Sequence, residues 1–364
     1  MKVKEIINYL ESIAPLSFQE HYDNAGLLTG SPEKHIDKVL ITLDVTEEVM
    51  DEAVKGGFDM IIAHHPVIFD GLKKINGKNL VERVIIKAIK HDIILYAAHT
   101  NLDSVFNGVN AKLGEKLGLK NLKFLKTKNS GLKKLAVFCP VDHAEKVRNA
   151  LFDAGAGHIG NYDSCSYNTY GEGSFRALQG ANPFVGEVGA IHFEKEIKIE
   201  TVVPDFILNK VLQAMLAVHP YEEVAFDIYP LENSNPSAGE GMIGELMEET
   251  YLEDYLKKIK KVLNVAALKY NAKGNKKVKK IAFCGGSGSF LIHQAAAAGA
   301  DVFITADVKY HDFFEYSDQM VIVDAGHYET EQFTKELLYE LLTEKFPTFA
   351  VRISKINTNP IKVL

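Results

Sequence analysis

The chain repeats part of itself, and this limits its fold more than any other feature. Displaced by 242 residues, Lys38, Val39, Gly57 and Asp59 fall on Lys280, Ile281, Gly299 and Asp301. The runs Met60-Ile61-Ile62 and Val302-Phe303-Ile304 coincide as well. For the third strands the displacement is 228: His99 falls on His327 and Asp103 on Glu331. A shorter connection in the second copy, 307–320 against 65–92, accounts for the change. Apolar strands often match one another by chance, but a His-x3-Asp seldom falls on a His-x3-Glu in the same alignment. The repeat implies two related α/β halves.

Each half alternates strand and helix. Lys38–Asp44, Asp59–Ala63 and Ile93–Ala98 read as strands. Between them, Thr46 opens a capped helix that Gly56-Gly57 stops, and 79–91 forms another. Such alternation predicts a parallel or mixed sheet with helices on its faces. The second half resumes near 240, with a helix over 250–263 and strands at 280–284, 301–305 and 320–323. Its last helix spans 329–345. Gly285–Ser289 reads as a tight turn into a helix ending at Ala298, and Tyr310–Glu315 as a short helix with a buried aromatic face.

Between the halves the pattern differs. A strand (132–139), a helix (141–154), strands within 158–200, a helix (204–218) and a strand (221–230) give the order βαββαβ of a ferredoxin-like domain. Glu232–Gly239 reads as a polar linker out of it. The expected architecture is therefore α/β: two related α/β halves, 1–130 and 233–364, form a discontinuous core domain. A ferredoxin-like α+β domain, 131–232, is inserted between them.

The 41 basic and 48 acidic residues give a net charge of −7, which disfavours a broad nucleic-acid footprint. No apolar run reaches the roughly 18 residues of a membrane span. The first residues form an amphipathic helix, not a signal peptide. Cys139, Cys165 and Cys284 are scattered and odd in number, which fits a reducing compartment and argues against thiolate zinc. A cytoplasmic location is expected.

Chemistry concentrates at strand ends. Ala63-His64-His65-Pro66 closes one strand, His99-Thr100-Asn101-Leu102-Asp103 follows the next, and Asp324–Glu331 carries His327 and Glu331. Neighbouring histidines in a strand point to opposite faces, but at a strand end the backbone can turn and bring both to one site. Imidazoles with carboxylates suit Zn, Mn, Fe or Co, and two acids suit a pair of ions. The ends of parallel strands are where ligands are expected on an α/β sheet. For a lone histidine, simple hydrogen bonding near a strand end is the stronger reading; for three such segments on one sheet, metal binding is. Asp307 and His311 are cavity-lining candidates. Gly285–Ser289 reads as a plain turn, with a phosphate site as the alternative. His219 and Glu222 read as a turn.

Taken together, these segments resemble the NIF-three-like family, whose bacterial members are called GTP cyclohydrolase 1 type 2 homologues. Thr305–His311, the loop Tyr22–Leu27 and Gly285–Gly288 share the resemblance, which spans nearly the whole chain. It implies a dinuclear centre of two divalent metal ions per subunit, held by His64, His65, Asp103, His327 and Glu331. It also implies a toroidal homohexamer, and a PII-like or CutA-like insert that includes His219–Glu223. Tyr22 stands where Trp is common and Ala306 where Gly is common; neither is a ligand position.

The function expected is a metal-dependent hydrolase that uses metal-bound water, with His99 as a general acid or base. The family label suggests GTP, or another nucleotide or phosphoester. The alternative is a non-catalytic metal-binding regulatory hexamer whose insert binds a ligand or partner.

Overall fold

Apolar, β-branched runs form the strands, and the helices between them bury those strands on both faces. The computed structural model describes residues 1–128, 131–233, 235–272, 274–314 and 316–364. It divides into two units, Met1–Thr127 with Ser237–Leu364, and Lys128–Pro236. Residues 129 and 130 at the expected boundary lie outside the described residues, as do Ser234 of the expected linker and Glu315.

In chain order the first half contains α1 (Val3–Ile13), β1 (Gly26–Thr29), β2 (Lys38–Thr42), α2 (Glu47–Gly56), β3 (Met60–Ala63) and α3 (Leu80–Lys90). It continues with β4 (Ile94–Ala97), α4 (Thr100–Asp103), α5 (Val109–Leu117) and β5 (Lys120–Lys128). The smaller unit contains β6 (Leu132–Pro140), α6 (Ala144–Asp153), β7 (Ser166–Arg176), β8 (Ile191–Pro204), α7 (Leu208–Val218) and β9 (Phe226–Pro230). Then follow β10 (Asn235–Tyr251), α8 (Leu252–Val262), β11 (Lys269–Tyr270), β12 (Lys277–Ser287), α9 (Ile292–Ala297) and β13 (Val302–Ala306). The chain closes with β14 (Val321–Asp324), α10 (His327–Glu331), α11 (Thr334–Lys345) and β15 (Ala350–Ile353).

The first sheet has the order β1-β4-β3-β2-β15, with β1 antiparallel to its neighbour and the rest parallel. Successive residues of its strands serve opposite faces. Leu40, Ile61 and Leu95 pack with Met50, Val84 and Ile85 of α2 and α3. Ile41, Ile62 and Tyr96 pack on the other face with Ile6 of α1 and Leu338 of α11. Both covering helices begin at a side-chain cap: Thr46 Oγ1 accepts from the Val49 N–H at 3.3 Å and Asn79 Oδ1 from the Glu82 N–H at 2.8 Å. Gly57, at φ 62°, ends α2.

The second sheet, β11-β14-β13-β12-β10-β5, has the same parallel centre, β12, β13 and β14. The repeat holds down to single hydrogen bonds. Asp59 Oδ2 accepts from the backbone N–H groups of Asp37 and Lys38, and Asp301 Oδ2 from those of Lys279 and Lys280. The third strands correct the expected displacement. Ala98 N–H bonds Ala63 O and Ala325 N–H bonds Thr305 O, so within the strands it is 227. Gly326, at φ 84°, is the extra residue that moves His327 to 228. Its left-handed backbone is one that glycine adopts without steric cost.

The smaller unit runs β6-α6-β7-β8-α7-β9, with an antiparallel sheet ordered β7-β8-β6-β9. Leu135, Val137, Ile197 and Ile199 pack on Val147 and Leu151 of α6 and Val211 and Met215 of α7. His219 Nδ1 accepts from the Tyr221 N–H and its Nε2 lies 3.0 Å from Phe138 O, while Glu222 accepts from the distant Asn182 N–H.

Three local expectations are corrected. The polar stretch from Asn235 to Gly239 is not linker but the start of β10, because pairing within a sheet overrides weak strand propensity. Gly285 and Gly286 belong to β12, and a short 3-10 turn, Ser289–Leu291, precedes α9. Tyr310–Phe314 is a 3-10 turn whose aromatic face is open, with Tyr310 73% and Phe314 63% exposed. Phe313 alone of its rings packs inward. Among the described residues no helix is long and apolar enough to cross a membrane.

Candidate metal centre

His64 and His65 follow β3 directly, and their backbone N–H groups bond Thr42 O and Leu43 O of the neighbouring strand. With the chain turning at Pro66, both rings reach one site, their centroids 4.9 Å apart. His99 caps α4, whose last residue is Asp103. His327 and Glu331 lie one turn apart on α10, on one face of the helix. The chain thus brings these six residues together at the C-terminal ends of the two parallel centres.

The contacts are close. His65 Nε2 lies 2.9 Å from Glu331 Oε2, and His327 Nε2 3.1 Å from the same oxygen. His64 Nε2 lies 3.7 Å from Asp103 Oδ1 and 3.8 Å from Glu331 Oε1, beyond hydrogen-bond reach of both. The ring is fully buried, and this nitrogen has no hydrogen-bond partner. Two groups of donors result: His64, His65 and His99, and His65, His327 and Glu331. Within each group the donor atoms lie within 4.8 Å of one another.

In all four imidazoles the other nitrogen, Nδ1, is held by an oxygen. His64 Nδ1 donates to Ala98 O at 2.8 Å, which leaves Nε2 facing the two carboxylates. Nδ1 of His65 is held by Asp44 at 2.7 Å, that of His99 by Asp23 at 2.7 Å, and that of His327 by Asp307 at 2.6 Å. Such outer partners fix the ring and tautomer of a metal-ligating histidine. Asp44 is itself bonded by the Thr358 hydroxyl, and Asp23 by the Thr100 N–H. Sequence reasoning assigned neither Asp44 nor Asp23 a role. Asp44 carried a faint signal, since it ends the first parallel run as His64 ends the second.

A model of the DUF34/NIF3 family (NGG1p interacting factor 3) matches residues 1–360. The chain belongs to this family. A Halalkalibacterium halodurans protein named GTP cyclohydrolase 1 type 2 homolog is 43% identical over 360 residues, 98% of this chain and 97% of that one. A Bacillus subtilis protein of the same name is 42% identical, covering 99% of this chain and 98% of the relative. A Bacillus cereus protein related to NIF3 has a solved structure with a TM-score of 0.85, at 41% identity over 100% of this chain and 99% of that one. The family resemblance carried by the motifs therefore holds along the whole chain.

The electrostatics of this family member's centre favour added positive charge. Burial opposes a charge on His65, but the Asp44 and Glu331 carboxylates outweigh it and push the ring up to about 10. The bond to Glu331 raises His327 to about 9, against burial and with help from Asp307. Burial would raise Glu331, yet the surrounding imidazoles hold it well below the carboxylate range. Asp103 goes the other way: burial raises it in spite of His64. Asp23 is also opposed by burial, but its bonds to His99 and Thr100 lower it to about 2. An unpartnered buried imidazole nitrogen beside two carboxylates is a donor set that a divalent cation fits.

A cleft of about 760 Å³ opens on the centre and includes His65, His99, Asp103, His327 and Glu331 in its lining. Gly286 (φ 61°) forms part of the cradle, since a Cβ there would stand 2.1 Å from Glu331 Oε1. The neighbouring loop is not a phosphate cradle. The N–H groups of Gly285, Gly286 and Gly288 are taken by Asn110 Oδ1, Thr330 Oγ1 and Thr305 Oγ1. Of the two further cavity candidates, Asp307 meets the centre through His327, and His311 lies exposed against Tyr310 and Phe314.

Proposed function

We propose that this chain is a metal-dependent hydrolase of a small molecule, with two divalent ions (Zn, Fe, Mn or Co) held by His64, His65, Asp103, His327 and Glu331. The observation that carries the reading is the buried, unpartnered Nε2 of His64, aimed with the His65 and His327 rings at Asp103 and Glu331. Bound there, the ions would supply an activated water and stabilise charge on a carbonyl or phosphoryl oxygen. Asp44, Asp307 and the Ala98 carbonyl orient the ligand rings. His99, held at Nδ1 by Asp23, lines the cleft and serves as the group that takes up and returns a proton there. The walls of the cleft orient the substrate and limit water.

In the same reading the smaller unit is a ferredoxin-like, PII-like insert spanning 131–232, supported by its element order and its strand order, and the chain assembles as a toroidal homohexamer. The relatives' name points to GTP, and ring opening of a nucleotide is one reaction to try. The test is a screen of metal-loaded protein against nucleotides, phosphoesters, amides and esters. Turnover that falls at least about 100-fold in His99→Ala, with metal content unchanged, is expected. Metal-replete protein that turns over none of these classes would overturn the hydrolase reading in favour of a metal-binding regulatory assembly.

A further inference from the structure

The walls of the cleft indicate what enters it. Around the opening stand Tyr22, Phe69, Phe290 and Ile361, between 50% and 62% exposed. So many large apolar side chains left in water around one concavity are a feature of ligand pockets. Phe69 reaches the centre itself, its ring edge-on to His99 with centroids 5.7 Å apart. Its loop is tied to that of Tyr22 by the Asn24 amide, which donates to Ile68 O at 2.7 Å. Phe290 projects from the short turn after β12, 60% exposed.

We infer that the substrate carries a planar ring and that Phe69, Phe290 and Tyr22 hold this ring beside the group that meets the centre. This rests on the metal-dependent reading above and narrows it.

Hydroxamic acids test this, because one constant metal-binding group can carry different tails. Binding to zinc-loaded protein would be measured by titration calorimetry. Benzohydroxamic acid is expected to bind about tenfold or more tightly than acetohydroxamic acid. Phe69→Ala and Phe290→Ala are expected to remove most of that gain without altering acetohydroxamic acid binding. Both side chains are half exposed or more, so neither variant loses core packing. Equal affinity for the benzo and aceto compounds would overturn this inference alone. Failure of every hydroxamate to bind, together with failure to take up zinc, would instead overturn the metal reading beneath it.

Discussion

Asp44 determines where His65 points. It holds Nδ1 at 2.7 Å, so Nε2 faces Glu331, and the Thr358 hydroxyl steadies the carboxylate from behind. Asp44→Asn keeps the shape of this group but removes its charge. Metal affinity is expected to fall about 10–100-fold, read by competition with a chelator of known affinity; an unchanged affinity would separate Asp44 from the centre. At this scale the sequence showed the ligand candidates and hid their supports. His64-His65, His99-x3-Asp103 and His327-x3-Glu331 stand out because each follows an apolar run and keeps a local spacing. The Asp44–His65 and Asp23–His99 pairs are 21 and 76 residues apart in the chain. No spacing marks such a pair, since only the packed sheet brings its members together.

The elements that support the centre are the strands β2, β3 and β4 and the helices laid over them. Asn79 caps α3 with a 2.8 Å bond to the Glu82 N–H, and α3 covers β3 and β4 through Val84 and Ile85. Asn79→Ala is expected to cost about 1 kcal/mol of stability, seen as a lower denaturation midpoint with metal content retained. No shift in the midpoint would mean that the cap contributes nothing to folding. Helices with caps and glycine stops, such as α2, were legible because their signals are local. The edge strand β11 and the first residues of β10 were not: Lys269-Tyr270 is too short for a pattern, and Asn235–Gly239 is made of turn formers. What they pair with lies elsewhere in the chain and determines them: β14 for β11, and for the start of β10 a bridge from Ala238 to Val105. Tyr310–Phe314 was misread for a related reason. Aromatic residues suggest burial, but whether a neighbouring element covers them is a tertiary matter.

At the scale of the whole molecule, the repeat explains why one site draws on two distant parts of the chain. Equivalent strand ends face each other: the first copy brings His64, His65 and Asp103, the second His327 and Glu331. The repeat was visible in sequence because Asp59 and Asp301 must bond equivalent backbone N–H groups, which preserves the acid and its spacing. The single inserted glycine was not visible as such, because an insertion of one residue looks the same as a change in loop length. If the chain assembles as proposed, light scattering on purified protein is expected to give the mass of six copies of the 40.4 kDa chain, and a stable monomer would contradict the assembly. The central claim is that two halves of one chain build a centre for divalent metal. The most direct measurement is metal content after purification without added ions and again after titration with zinc, for the native chain and for Glu331→Ala. About two ions per native chain are expected, with loss of at least one in the variant while its circular dichroism stays unchanged. A native chain that takes up no divalent ion, or a Glu331→Ala chain that holds as many, would contradict the account.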